Sequence, residues 1–305
     1  MERDVLVVGE ALVDIVKAPD GTSTEYAGGS AANVAVALSR LGRPVRFATS
    51  FADDARGNLV SEFLSRDGVV LATDPAAVER TSTAEATIGN DGAASYVFDF
   101  DWRLNPLLPA DARPLVVHTC SLGAVIEPGA DTAFEMVRAL RDDATISYDV
   151  NARPAVTGTG PEIVVLVERM VAISDLVKAS DEDLAALYPG RDLEEAARAL
   201  LTLGPAAVVV TKGDAGAMWV GQGTTVEVET VKVDVADTIG AGDTFGAAIV
   251  DALWERGRLG ADRREALRDL PEDEIAEVLA HAARAAAVTV SRPGADPPYR
   301  SELGA

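Results

Sequence analysis

The chain has 305 residues, 27 of them basic and 49 acidic, for a formal net charge of −22 at pH 7. A surface so acidic, with no local run of Lys or Arg, argues against nucleic acid and anionic membranes as partners. Hydrophobic residues make up 48% and charged residues 25%, which excludes a disordered chain, and no apolar run approaches the ~20 residues of a membrane span. Along the chain, strands are predicted at Val5–Val8, Val45–Ala48, Leu115–His118, Thr145–Asp149, Leu176–Lys178 and Ala207–Thr211. Most are continuous apolar runs, as expected of a parallel sheet covered on both faces. Helical spacing falls between them: Val34, Leu38 and Leu41 share one face ahead of Gly42, followed by Thr132–Leu140, Pro161–Ile173, Asp192–Leu203 and Glu272–Val290. This alternation predicts an α/β fold with a doubly wound, mostly parallel sheet, in a single domain over 1–305.

One stretch breaks the rhythm. Glu85–Ile88 and Ser95–Phe98 flank Gly89-Asn90-Asp91-Gly92, residues suited to a hairpin turn. Residues of about 10–28 and 81–104 are read as a small antiparallel flap over the main sheet, with the proline-bearing Asn105–Pro114 leading back. The single cysteine, Cys120, excludes an internal disulfide and points to a reducing cytoplasm. The opening Met-Glu-Arg-Asp lacks the pattern of a secretory signal. Two histidines and one cysteine make no His/Cys zinc site. His118 and Cys120, at a strand end, read as packing groups.

The richest local signal is Asp237-Thr238-Ile239-Gly240-Ala241-Gly242-Asp243-Thr244-Phe245, after which Phe245, Ala248, Ile249, Ala252 and Leu253 recur at helical spacing. A loop of small residues that opens a helix lets backbone N–H groups approach an anion, and the helix start adds partial positive charge. A carboxylate at that point can take the proton of an attacking hydroxyl; equally, Asp243 can simply cap the helix. No Gly-Lys-Ser/Thr follows, and the first strand leads into Gly9-Glu10-Ala11-Leu12, so neither a Walker loop nor a dinucleotide fingerprint is present. Near the start, Gly28-Gly29-Ser30-Ala31-Ala32-Asn33-Val34 sets two glycines before a helix with an asparagine in its first turn. It is either a plain loop-to-helix junction or a close approach to a polyol, with Asn33 bonding hydroxyls.

These two segments, in this order, resemble the signatures of the ribokinase or PfkB-type carbohydrate kinase family, and the opening Val7-Val8-Gly9-Glu10-Ala11-Leu12-Val13-Asp14 fits as well. The resemblance spans nearly the whole chain. It implies a ribokinase-like, Rossmann-like three-layer fold with a β-flap lid, ATP as phosphate donor, Mg²⁺, and phosphorylation of a sugar hydroxyl. Asp243 is then the implied base, with Gly240, Ala241 and Gly242 as the anion hole. Asp14, Gly28, Gly29 and Asn33 match sugar-holding positions, although Asp14 also reads as a surface-loop residue. Ser180-Asp181-Glu182-Asp183 stands where the family often has Asn-x-x-Glu; Ser180 and Asp183 are implied in the nucleotide and Mg²⁺ network, or they cap the following helix. Thr211-Lys212-Gly213-Asp214-Ala215-Gly216 matches the nucleotide loop through Thr211, Lys212, Gly213 and Gly216, with Lys212 meeting phosphate or water. Asp149-Val150-Asn151-Ala152-Arg153 offers Arg153 to a phosphate or an acidic sugar group. Asp237 and Ile239, with Ser291 and Gly294 of Thr289–Ala295, match a K⁺ loop, and Ala282–Ala286 would line the adenine pocket. His281 reads as structural. Arg103, in the aromatic flap segment Tyr96–Arg103, reads either as a sugar contact or as part of a self-packed flap.

The pattern looks closest to fructokinases. Alternatives are 2-keto-3-deoxygluconate kinase, ribokinase, or a catalytically silent sugar or nucleotide binder. An exposed apolar flap face suggests a homodimer. Asp14, Asn151, Arg153, Ser180, Lys212 and Gly213 each follow a predicted strand, which places them together at the carboxyl edge of the sheet, where open α/β folds bind ligands.

Overall fold

The computed structural model describes residues 3–18, 20–88, 94–108 and 113–304. The main sheet runs β13 (Thr225–Val228), β12 (Ala217–Gly221), β11 (Ala207–Thr211), β10 (Leu176–Ser180), β9 (Thr145–Asp149), β8 (Val116–Cys120), β1 (Val5–Val8), β4 (Val45–Ala48), β5 (Val70–Leu71). All neighbours pair in parallel except β11–β12 and β12–β13, which are antiparallel. The continuous apolar runs have the expected cause. Val5 and Val7 pack into one core and Leu6 and Val8 into another, so both faces of β1 are dry.

One core is covered by α1 (Ser30–Arg40), α2 (Ala55–Arg66), α8 (Ala241–Glu255) and α10 (Glu272–Val290). The opposite core is covered by α3 (Gly129–Leu140), α5 (Pro161–Val171), α6 (Asp181–Leu187) and α7 (Leu193–Leu201). Two short helices, α4 (Pro154–Thr157) and α9 (Arg264–Arg268), lie in the connections. Gly42 takes a φ of +79° just past α1, the left-handed stop its position predicts.

A second, four-stranded sheet runs β3 (Ser23–Gly28), β2 (Leu12–Lys17), β6 (Thr83–Ile88), β7 (Ala94–Asp99). It is not wholly antiparallel as expected, because its central pair, β2 and β6, runs parallel. The expected hairpin pairs Thr83 with Asp99 through Ile88 with Ala94, but its turn, Gly89–Gly92, lies outside the described residues, as does part of Asn105–Pro114. Asp14 also departs from expectation: it sits inside β2 rather than after a strand of the main sheet. Among the described residues no helix is long and apolar enough to cross a membrane.

Candidate active site

The two signature segments, some two hundred residues apart in the chain, meet through side chains. Gly29 ends the approach to α1 at φ +100°, and a Cβ there would lie 2.9 Å from the Glu10 carbonyl oxygen; only glycine fits. The turn after Ile239 is built in the same way. Gly240 has φ +74°, and a Cβ would come within 2.6 Å of the Ala295 Cβ. The two helices thus enter the same point. Asp243, in the first turn of α8 and 7% exposed, accepts from Ser30 Oγ at Oδ1 (2.7 Å) and from Asn33 Nδ2 at Oδ2 (2.8 Å). Asn151 donates Nδ2 to Ser30 Oγ at 2.8 Å and lies 3.5 Å from Asp243 Oδ1. Asn151 holds φ +38°, beside Ser121 at φ +52°, and Ser121 Oγ donates to the Asn151 carbonyl. Left-handed backbone at two non-glycine residues on adjacent strand ends is strain maintained by this network.

A ring of buried charge surrounds Asp243. Glu10 accepts from the amides of Ser30 (3.2 Å) and Gly123 (2.8 Å). Burial pushes its pKa up to about 7; the amides oppose the rise and the neighbouring Asp243 adds to it. The folded state therefore holds a proton that the unfolded chain releases near 4.5, so Glu10 contributes most at low pH and that contribution is lost as pH rises through about 7. Glu10→Gln should gain stability relative to the native protein by on the order of 2–3 kcal/mol between pH 5 and pH 8. Urea midpoints across that range test it, and a constant difference would exclude titration of Glu10.

Asp14, in β2, points at Gly28, where a Cβ would lie 2.6 Å from Oδ2. Burial raises its pKa to about 6 while Arg153 pulls it down. Among the described residues none hydrogen-bonds it. Lys178 and Asp149 form an ion pair of 3.0 Å, with side chains 7% and 1% exposed. Burial drives Lys178 toward neutrality, but the carboxylates of Asp149, Asp183 and Asp243 outweigh it and the ammonium is held above its ordinary pKa. His118 is buried and driven down to about 3, hence neutral, with Nδ1 at 3.1 Å from Ser147 Oγ.

The remaining expected residues are spread more widely. Ser180 and Asp183 form a capping box at the start of α6, and the second oxygen of Asp183 accepts from the Ala152 amide at 2.7 Å. The capping reading of these residues therefore holds, and α6 is tied to the strand end that carries Asn151. Thr211 ends β11, where Lys212 pairs with Glu227 at 2.9 Å and Gly213 and Gly216 take positive φ. Asp237 accepts from the amides of Ile239 (3.0 Å) and Gly294 (2.9 Å), which joins the two expected cation loops beside Gly240, while Ser291 Oγ turns back to the Val288 carbonyl. Arg153 is exposed and donates to the Asn151 and Ala152 carbonyls. Arg103 stays on the surface beside Asp101, and the described contacts do not bring it to Asp243. His281 bonds Asp251 at 3.0 Å on the far part of α8, a structural placement.

Sequence reasoning missed Glu10, Ser30 and Lys178 as site residues. A lysine inside an apolar parallel strand was the available signal for the last of them.

Open α/β sheet, glycine-lined helix start and buried carboxylate together define the class of ribokinase-like sugar kinases. The chain belongs to the pfkB family of carbohydrate kinases, whose model matches residues 2–302. It is a phosphotransferase acting on a sugar hydroxyl. A fructokinase of Rhizobium leguminosarum bv. trifolii is 33% identical over 285 residues, covering 88% of this chain and 86% of that protein. The solved fructokinase of Xylella fastidiosa with bound ATP superposes with a TM-score of 0.87 at 25% identity, covering 99% of this chain and 97% of the other. A variant fructokinase of Vibrio cholerae O395, with fructose, ADP and potassium bound, gives 0.81 at 25% identity over 99% and 97% of the two chains.

Proposed function

We propose that this kinase transfers the γ-phosphoryl of ATP to a hydroxyl of fructose. The observation that carries the reading is the pair of hydrogen bonds from Ser30 and Asn33 to Asp243, which aims one carboxylate at the junction of the sugar-side and phosphate-side helices. Asp243 Oδ2 keeps a second lone pair for an incoming hydroxyl, while Oδ1 has a long second contact from Asn151 Nδ2 at 3.5 Å. Asn33 Oδ1 is buried without a partner among the described residues, and a sugar hydroxyl would satisfy it. Asp14, equally without a donor, accepts from a second hydroxyl over Gly28 and Gly29.

Asp243 takes the hydroxyl proton as that oxygen forms its bond to phosphorus, and the bond from phosphorus to the β-phosphate oxygen breaks, releasing ADP. The amides of Gly240, Gly242 and Asp243 donate to the phosphoryl oxygens at the start of α8, and the Ala241 amide joins them by leaving its long 3.3 Å bond to the Thr238 carbonyl. Ser180, Thr211, Lys212, Gly213 and Gly216 flank the nucleotide, and Arg153 faces the transferring group. Among the described residues no three His, Cys, Asp or Glu side chains group to hold a metal, so a Mg²⁺ here would be carried on the nucleotide phosphates, and Asp183, whose oxygens accept from the Ser180 and Ala152 amides, would be the carboxylate nearest in role to its water shell. When bound, the ion neutralises phosphate charge. Asp237, Ile239, Ser291 and Gly294 would rim a K⁺ site, since Asp237 already clamps both loops. The small sheet acts as the lid, with Arg103 at its margin, and its exposed Tyr26 and Val97 fit burial against a second copy in a homodimer.

A coupled ATPase assay over fructose, 2-keto-3-deoxygluconate, ribose and nucleosides tests the reading. The expected kcat/KM is highest for fructose, by about tenfold or more. Preference for the keto acid would reassign the substrate to Arg103 and Arg153, and nucleotide binding without turnover on any sugar would make the protein a silent binder.

A further inference from the structure

One full positive charge in the site has no part in the reaction just described. Lys178 is 6% exposed in β10, between Val177 and Ala179, both fully buried. Its ammonium meets Asp149 Oδ2 at 3.0 Å, while Asp149 Oδ1 is buried and without a partner among the described residues. Nζ also abuts the phosphate-side turn, because a Cβ on Gly242 would lie 2.9 Å from it. Gly242 has no left-handed φ, so backbone shape does not demand glycine there; the space over its Cα is what the ammonium uses.

Stability does not explain this arrangement. A buried ion pair loses its hydration, and well-packed apolar residues of similar volume are often as stable or more so. An ammonium has three donors, and among the described residues Asp149 is its one hydrogen-bond partner, which leaves protons for another acceptor. The neighbouring Gly242 amide opens the first turn of α8, whose dipole favours negative charge at the same point.

We propose that Lys178 is a catalytic residue of this kinase: its ammonium donates to an oxygen of the migrating phosphoryl beside the Gly242 amide, and Asp149 is the positioning residue that holds it there between turnovers. The proposal rests on phosphoryl transfer at Gly240–Asp243. As the transferring group passes between two oxygens, its negative charge is met by a full cation already fixed in a water-poor setting, where such a contact acts most strongly. No new bond is formed by the lysine, which stays protonated throughout.

The test uses Lys178→Met and the double variant Lys178→Met/Asp149→Asn in the full-length enzyme. Lys178→Met should lower kcat about 10²–10³-fold, as loss of one preorganised donor does elsewhere. Calorimetry should give affinity for MgADP alone within about threefold of the native enzyme, while affinity for MgADP with aluminium fluoride and fructose, a mimic of the migrating phosphoryl, falls more than about tenfold. The double variant no longer buries a lone carboxylate; it should recover the native melting temperature but not kcat. A double variant with kcat within a few-fold of native would make the pair structural and overturn the proposal, as would a Lys178→Met enzyme of native kcat. Asp243→Asn, assayed alongside, separates the two ideas. Loss of turnover there, with normal turnover in the double variant, removes Lys178 alone; normal turnover in Asp243→Asn removes the transfer reading itself.

Discussion

Asp243→Asn should lose turnover by about 10³–10⁴-fold while still binding ATP and fructose. The amide is nearly isosteric but cannot take the hydroxyl proton at neutral pH. An asparagine still accepts from Asn33 Nδ2 through its oxygen and turns its amide N–H to Ser30 Oγ, a hydroxyl that accepts as well as donates, so the contacts survive with one of them reversed. Neither change exposes core, because Phe245, Ala248 and Ile249 anchor α8 below the turn. The variant also removes a negative charge beside Glu10, which relieves part of what raises that carboxyl. Thermal stability should therefore hold. The assay is steady-state kcat on fructose, paired with calorimetry for each ligand. A kcat within tenfold of native would leave Asp243 as a helix-start residue and no base.

The sheet was legible where the physics was local. Val5–Val8, Val45–Ala48, Thr145–Asp149 and Ala207–Thr211 have the limits expected of them; Val5–Val8 is apolar throughout because both its faces are dry, whereas Thr145–Asp149 buries Thr145, Ser147 and Asp149 as well. Glu272–Val290 matches as well, a helix long enough for its periodicity to be plain. Ala55–Arg66 escaped notice because only Gly57, Val60 and Leu64 are buried in it, too thin a stripe to stand out. The antiparallel β12 and β13 do carry turn residues, Gly213-Asp214-Ala215-Gly216 before β12 and Gly221-Gln222-Gly223 after it, but the first of these is absorbed by the resemblance to a nucleotide loop and β13 is only half-buried, which leaves its strand pattern faint.

The site divides along the same line. Asp243, Gly29, Asn33 and Asp14 carry their meaning in motifs of a few residues. Ser30 and Glu10 acquire theirs only when β1, α1 and α8 converge: Ser30 reaches Asp243 across 213 positions and Glu10 reaches Gly123 across 113. In the sequence Lys178 closes the run Leu176–Lys178, and a lysine at a strand end is ordinarily solvated; in the fold the strand continues to Ser180 and the ammonium is enclosed. Asp183 was open between cap and metal network because both uses ask for a carboxylate three residues into a helix. Its two oxygens on the amides of Ser180 and Ala152 show what it does in the free protein.

Asp14→Asn should separate stability from affinity. In the free protein Asp14 is a partly buried carboxyl with no hydrogen-bond donor among the described residues, raised from 3.8 to about 6 by burial. Its charge is thus a burden on the fold: stability is greatest when it is protonated and declines as pH rises from 3.8 through about 6, at a cost of order 2–3 kcal/mol above that pH. Asparagine removes the charge and keeps the volume, so at pH 8 the melting temperature should rise by a few degrees. At pH 4 the difference should nearly vanish, because the native carboxyl is then neutral too. Sugar binding should move the other way. A carboxylate accepting from a sugar hydroxyl contributes more than a neutral amide oxygen does, and kcat/KM for fructose should fall about 10²-fold or more. The native enzyme carries the same signature in its pH profile: KM for fructose should climb below about pH 6, and the climb should be missing in the variant. Arg153→Met, which removes the cation that holds Asp14 down, should shift that climb to higher pH. An Asp14→Asn enzyme with native KM at every pH, or one that melts earlier at pH 8, would place the sugar elsewhere and make Asp14 a support of β2.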